Sequence, residues 1–535
     1  MHPLPIQPPA RGVVTPPPRR HFGVAWRRGW LVVGLVVGLL LPQRGSGQGY
    51  FNERYANSAT TYQSALGSVI VTDSGYVGVG VGANYPFRFS NALMVRFLRP
   101  DGQQYRVRYF GRQDYYYFCT PQGGGLLAVP GGYAMQGGVD IPGGAQKAML
   151  WRFDALGDSL WTRSYGSPDG NARIAYSMCR ARDGGYALTG TADVRLTPFN
   201  ADVWLLRTDS LGTVMWSRTY NFGSGDDGYS IVSAPDGGFL IGGSVEYLQG
   251  GGNYDGLVIK VDSVGQEQWR RTFGGNFYDG IANVRVLADN NYLIGTSRTV
   301  SALNGFTQRR IALHKLSPQG VTLWQREYGP KRDGVQVFAM HELASGALVV
   351  AGGTEDTTGA TPVGNGFPMG YALKVCADGD SVWYRTYRHF TGGRSHNYLR
   401  DFRPTPDGGF VGCGFLFGRA PDPVANDAWA FKTDSAGYLL PGGAPPTVRC
   451  PRPLGLAPAA AAEPGIAIWP NPATGTVRVR LAEAGPAVLL DAVGRVVRAT
   501  RAAAGQELTW DVAALPAGLY VVRAGGQTRR LVVAR

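Results

Sequence analysis

One pattern recurs along most of this chain and limits what it can fold into. Across Asp236–Gly280 it reads DGGFLIGG, a variable stretch, DGLVIKVDSVG and QWRRTFGG, ending at Asp279-Gly280. The order returns where Asp183-Gly184-Gly185-Tyr186 leads to Trp204–Asp209 and then to Trp216 and Tyr220. It returns again where Asp289–Tyr292 leads to Leu313–Leu316, Trp324 and Tyr328. The aromatic after the turn falls at Tyr76, Tyr133, Tyr186, Phe239, Tyr292 and Phe410, with Leu348 in the remaining case. Steps of 57, 53, 53, 53, 56 and 62 residues separate these positions. A period near 50 residues built of short strands marks a propeller or a related array.

Each unit reads as four antiparallel strands. In the fourth unit these are Ser230–Ala234, Phe239–Ser244, Gly256–Asp262 and Gln268–Phe273. The Asp-Gly-Gly turns follow from the positive φ that tight hairpins demand, which Gly adopts without steric cost. Trp269, Arg271 and Phe273 alternate with polar neighbours, the period of a strand packed on one face. The last unit, after its third strand at Ala428–Asp434, runs into Pro-Gly-Gly-Ala-Pro-Pro without a Trp-x-x-x-Tyr strand. Phe51–Tyr55 near the N-terminus has that missing spacing. The expectation is an all-β chain: a seven-bladed β-propeller of four-stranded blades, closed by an N-terminal strand that completes the last blade.

Composition narrows the reading. Gly is 78 of 535 residues and charged residues are 17%, which suits turn-dense β structure. The net charge of +14 suggests nucleic acid until it is located. Residues 1–47 carry +6 and residues 446–535 another +6, leaving +2 on the repeats. A nucleic-acid binder needs a clustered basic face, so none is expected as partner. Arg19, Arg20, Arg27 and Arg28 precede the apolar run Trp30–Leu41, twelve residues long. That is too short to span a bilayer and fits a secretory signal peptide over residues 1–47, cleaved after Gly45-Ser46-Gly47. Cys119, Cys179, Cys376, Cys413 and Cys450 form no Cys-x-x-Cys pair, and any disulfide among them is left open.

Residues 441–465 change to a Pro/Ala-rich linker, and residues 466–535 return to short alternating strands of a small Ig-like sandwich. Its strands are expected at Ile466–Trp469, Thr476–Leu481, Ala487–Asp491, Leu508–Asp511, Leu515–Arg523 and Arg530–Val533. Four motifs sit in it: Ile468-Trp469-Pro470-Asn471-Pro472, Leu490–Val496 with Gly494-Arg495, Leu515-Pro516-Ala517-Gly518-Leu519-Tyr520, and the terminal Leu531-Val532-Val533. In order and spacing this module resembles the type A C-terminal sorting domain of the type IX secretion system of Bacteroidota. The resemblance implies that the tail directs a folded cargo across the outer membrane and is removed by a sortase-like protease. It also implies release of the cargo or its attachment at the cell surface. The motif residues carried over are Trp469, Pro470, Asn471, Pro472, Gly494, Arg495, Leu515, Pro516, Gly518, Leu519 and Tyr520. Trp469 stands where Tyr or Phe is frequent in that family. The repeats resemble the DGGY/DGGF propeller units of secreted proteins from the same group.

No catalytic, metal or cofactor constellation emerges from the repeats. Asp114, Asp169, Asp226, Asp227, Asp279 and Asp333 close the fourth strands, one or two per loop, and read as caps of backbone amides, not as calcium ligands. Lys260, Lys315, Lys374 and Lys432 occupy one repeat position and read as blade-packing or surface residues. Arg388–His396 is a dense polar stretch, read as an enlarged loop or a ligand site. Variable insertions between second and third strands, such as Thr191–Asn200 and Arg298–Gln308, read as loops on one face, where binding commonly resides. The expectation is an exported, monomeric, non-enzymatic binding protein for a glycan or protein ligand. The alternative is a hydrolase, which needs two acids, or a nucleophile and a base, converging at the channel.

Overall fold

The computed structural model describes residues 50–440, 443, 450 and 466–534, except 56–63, 84–90, 113–114, 120–123, 168–169, 197–198, 247–253, 276, 304–305, 333, 357–366, 390–395, 418–425, 470, 472, 482–483, 492–493 and 525–526. The expected signal segment, most of the linker, and Asp114, Asp169, Asp333, Pro470 and Pro472 lie outside the described residues.

The repeats form four-stranded antiparallel sheets, the arrangement of a propeller. In the fourth repeat Gly225–Ser233, Phe239–Glu246, Tyr254–Val261 and Glu267–Phe273 pair in chain order. The second repeat differs: Tyr116–Phe118 and Leu126–Val129 share the inner place beside Gly132–Asp140. Asn52–Tyr55 pairs antiparallel with Asn426–Thr433, Tyr55 opposite Ala428, and so supplies the outer strand of the last repeat. The innermost strands touch in a cycle. Ser64–Thr72 meets Leu126–Val129, followed by Arg173–Arg180, Gly225–Ser233, Asn283–Val286, Gln336–Glu342 and His396–Pro404, which returns to Ser64–Thr72.

A β-bulge interrupts most innermost strands at one place, between Leu66 and Ser68, Ala175 and Ser177, Gly228 and Ser230, Val337 and Ala339, and Leu399 and Asp401. The bulge swings a carbonyl toward the second strand, where Gly80, Gly190, Gly243, Gly352 and Gly414 stand; a Cβ there would collide with it. This accounts for the last glycine of DGGFLIGG, while a Cβ on Gly242 before it would meet the Ala282 carbonyl of the next repeat.

The Trp-x-x-x-Tyr strand holds one sheet to the next. Trp161, Trp216, Trp269 and Trp383 lie on Gly212, Gly265, Gly320 and Gly437, glycines of left-handed φ in the following repeat's outer turn. The Tyr165 and Tyr220 hydroxyls donate to the carbonyls of Gly212 and Gly265 at 2.9 and 2.6 Å. Within each sheet the turn Asp meets the cation on the third strand. Lys260 Nζ lies 2.6 Å from Asp236, Lys315 Nζ 2.6 Å from Asp289 and Lys432 Nζ 2.8 Å from Asp407; Arg207 pairs with Asp183. Lys260 and Lys432 are fully buried, so the shared position is a packing one.

Two insertions expected as loops are strand instead. Tyr186–Leu196 and Phe199–Thr208 extend as one hairpin, as do Tyr292–Leu303 and Phe306–Leu316. Their ladders continue past one register shift each, with Arg195 opposite Asn200 and Leu303 opposite Phe306. Cys376 and Cys450 form a disulfide that joins the start of the linker to the outer turn of the sixth repeat. Cys179 and Cys413 are buried thiols.

The tail has two sheets over one core. Ile466–Trp469, Thr476–Leu481 and Glu507–Asp511 make the first. Val496–Ala502, Gly485–Leu490, Gly518–Ala524 and Gln527–Val533 make the second. Val477, Leu489, Trp510, Val522 and Leu531 are buried between them. Val496–Ala502 is a strand the sequence did not suggest. It is an edge strand, largely exposed, whose Arg-rich pattern lacks a clear apolar face.

Candidate functional site

The innermost strands carry one residue each into the same layer around the axis. The register places Ile70, Leu127, Cys179, Val232, Arg285, His341 and Arg403 one residue beyond the pair formed by the post-turn aromatic or its equivalent. Four consecutive repeats thus present apolar side chains or a thiol, and the next three present Arg, His and Arg. A cavity of about 150 Å³ opens here, lined by Leu127, Cys179, Val232, Arg285, His341, Asp401 and Arg403 among others.

Its electrostatics are set by few groups. The Asp401 carboxylate is fully buried and occupied. It accepts hydrogen bonds from the Ser68 hydroxyl at 2.8 Å, the Val69 amide at 3.1 Å, the Phe402 amide at 2.9 Å and Arg403 Nε at 2.9 Å. Burial alone would raise its pKa, but Arg403, His341 and these donors hold it below the usual carboxylate value. Burial, with Arg403 and Arg285 beside it, pushes the His341 imidazole down to about 3, so it is neutral at physiological pH. Burial pushes the Cys179 thiol up to about 12, which removes it as a nucleophile. Arg285 is open to the water of the cavity yet walled in by protein, and this enclosure lowers its pKa, with Arg403 adding to the effect. It makes no hydrogen bond or ion pair among the described residues.

Sequence reasoning gave these residues no role. The signal that could have found them is positional: Cys179, Val232, Arg285, His341 and Arg403 each stand seven residues before the post-turn position.

Of the described acids at the ends of the fourth strands, Asp226 and Asp279 act on backbone, whereas Asp227 departs from the expected cap and accepts from the Thr191 and Tyr229 hydroxyls. Asp226 accepts from the Phe222 and Gly223 amides, and burial raises its carboxyl to about 6. Asp279 accepts from the Thr299 amide and borders a second cavity of about 260 Å³ with Arg271, Arg298 and His314. Burial lowers His314 to about 4. Among the described residues no three His, Cys, Asp or Glu side chains group as metal ligands. Phe390–Ser395 fall outside the described residues; His389, at the edge of that stretch, lies 3.4 Å from Asn52 Oδ1 of the N-terminal strand.

The tail's motif residues are mostly built into its own frame. Asn471 donates to the Arg530 carbonyl and accepts from the Val532 amide, both at 2.8 Å, tying the first strand's exit to the last strand. Gly494, at φ 84°, closes the turn with Asp491, whose carboxylate accepts from the Arg495 amide at 2.8 Å. Tyr520 is buried and its hydroxyl donates to the Pro516 carbonyl at 2.9 Å, while Leu515 packs on the core. Trp469, half-buried, borders a groove with Asn471, Arg529 and Arg530. Leu519, which follows Gly518, points outward opposite Val532; both are exposed.

Residues 467–534 match the family of secretion-system C-terminal sorting domains. The chain is therefore handled by the type IX secretion machinery and exported to the cell surface or beyond. No curated protein matches the chain in sequence. Solved structures similar to it include the Neurospora crassa Pan2 WD40 domain, with TM-score 0.40 and 9% identity over 68% of this chain and 88% of that one. Sqt1 from Chaetomium thermophilum gives TM-score 0.39 and 11% identity over 74% and 90%. An endo-arabinase from Bacteroides thetaiotaomicron gives TM-score 0.32 and 12% identity over 60% and 96%. Likenesses this remote carry no functional argument.

Proposed function

We propose that this chain is an exported binding protein, with a seven-bladed propeller as its working body and an Ig-like sorting domain as its removable address. Residues 1–47 take it to the periplasm, and residues 466–535 then engage the type IX machinery and its sortase-like protease. The observation that carries the non-enzymatic reading is the axial cavity. Among the described residues its lining has one carboxylate, Asp401, with four donors already on it, and its thiol and imidazole are both held neutral. Glycoside hydrolysis needs two carboxyls flanking a bond, and acyl transfer needs an activated nucleophile beside a base. The extended hairpins at Tyr186–Thr208 and Tyr292–Leu316 are the candidate surface for a glycan or protein partner.

Export is tested by fractionating cells that make the full chain or a version ending at Pro464. Surface or medium location of the first with periplasmic retention of the second is the expected result. Equal export of both would overturn the role of the tail.

A further inference from the structure

We propose that the axial cavity binds an oxyanion, the carboxylate or sulfate of a small organic ligand, between Arg285 and Arg403, with the ligand's body against the apolar arc of the same ring. This deepens the binding-protein reading by naming a site and a ligand chemistry, and it rests on that reading.

The ring layer is asymmetric, and the asymmetry is contiguous. Arg285, His341 and Arg403 come from three successive repeats, and Leu127, Cys179 and Val232 from three others. A structural role for the first group would require partners. Arg403 has them in Asp401 and in the Ser68 hydroxyl, 3.3 Å from its Nη2. Arg285 has none among the described residues, although it lines the cavity. Glu342, on the neighbouring strand, also acts on it electrostatically; its carboxylate accepts the Ala288 amide at 2.6 Å and it does not line the cavity. Among the described residues the lining therefore holds two guanidiniums, one carboxylate and a neutral imidazole, a net positive surface. Guanidinium donors in a fixed fork match carboxylate and sulfate geometry. Ser230 and Asn283 also line the cavity, but their side chains are bonded to the Val284 amide and the Val337 carbonyl.

The test uses the full chain and calorimetric titration with glucuronate, glucose and inorganic sulfate. Glucuronate is expected to bind and glucose not to. Arg285→Gln is expected to weaken glucuronate binding at least about tenfold, about 1.4 kcal/mol. Near-ultraviolet circular dichroism and Tm should be unchanged, because Arg285 supports no internal contact. Arg285→Lys should keep part of the affinity, and Arg270→Gln on the outer surface should change nothing. Sulfate competing with glucuronate would show that the oxyanion itself is recognised; glucuronate binding without sulfate competition would narrow the ligand to organic acids. Absence of binding by either anion at about 10 mM, well above the range of specific affinities, would overturn the site. Binding untouched by Arg285→Gln would also overturn it. Either failure leaves export and binding through the outer hairpins standing, since neither depends on the cavity.

Discussion

The Tyr55 hydroxyl donates a 2.7 Å hydrogen bond to the Gly102 carbonyl, from the strand that completes the last repeat to the outer turn of the first. The same bond joins Tyr328 to Gly379 and Tyr387 to Gly437, at 2.6 and 3.1 Å. Phe51 lies on Gly102 as the Trp residues lie on their glycines. The seam between the chain's two ends is thus chemically the same as interfaces between consecutive repeats.

Tyr55→Phe should cost about 1 kcal/mol, the net worth of one buried hydrogen bond. Removing residues 50–55 should cost far more, because it also exposes the edge of Asn426–Thr433. Thermal melts and light scattering on the two variants check this: a deletion as stable and monodisperse as Tyr55→Phe would contradict closure by this strand.

Asp407→Asn should destabilise more than Lys432→Met. The first strands a fully buried ammonium, and the second removes the charge with little loss of volume. Asp407 is partly exposed, so solvent screening keeps the difference to about 1–2 kcal/mol. Denaturant titration of both variants reads it. The sixth repeat anticipates the result: Ser345 replaces the acid, and burial alone lowers the pKa of Lys374.

His314 and His341 should contribute stability that rises with pH between about 4 and 6.5, opposed over part of that range by Asp226, whose carboxyl burial raises to about 6. The two imidazoles are held at about 4 and 3 when folded, below the ordinary 6.5, so the unfolded chain binds more protons at these two positions across that window. As pH falls, this contribution is lost. Below it the turn carboxylates Asp236, Asp289 and Asp407, which burial would raise but their lysines hold low, lose their contribution in turn. His341→Asn should flatten the slope between pH 6.5 and 4. In the wild type, imidazole resonances titrating with pKa values near 6.5 at both positions would contradict it.

Reduction of Cys376–Cys450, or Cys450→Ser, should lower stability by about 2–4 kcal/mol, given a loop closed over 74 residues. In the outer turns of other repeats Asp209, Asp262 or Asp434 stands at this position and caps two amides. Cys376 gives up that cap for the crosslink. Melts with and without reductant, compared with the Ser variant, measure it; an unchanged Tm would count against the pairing.

In the tail, Asn471→Ala should loosen the fold by about 1–3 kcal/mol, because it frees two backbone groups of the last strand. Leu519→Asp should leave the fold intact, since Leu519 is exposed, yet lower the exported fraction. Export unaffected by Leu519→Asp would place recognition elsewhere on the tail.

The repeat, its turns, the completing strand at Phe51–Tyr55 and the sorting motifs were all legible in the sequence. Each is written in neighbouring residues: a Gly where φ must be positive, a Trp and Tyr four apart on one strand, a Pro-Asn-Pro at a strand exit. The extended hairpins and the Val496–Ala502 edge strand were not, because their alternation lacks a strong apolar face and tertiary pairing outweighs propensity. The axial ring was hidden for a different reason. Arg285, His341 and Arg403 lie more than 50 residues apart in sequence. Bulges before Ser68, Ser177, Ser230, Ala339 and Asp401 shift the alternation of the innermost strands, so a period of two counted along the chain misassigns which side chains face the axis. Local chemistry determined the strands and the address. Only the closing of the sheets into a cycle decided which three side chains would share a cavity.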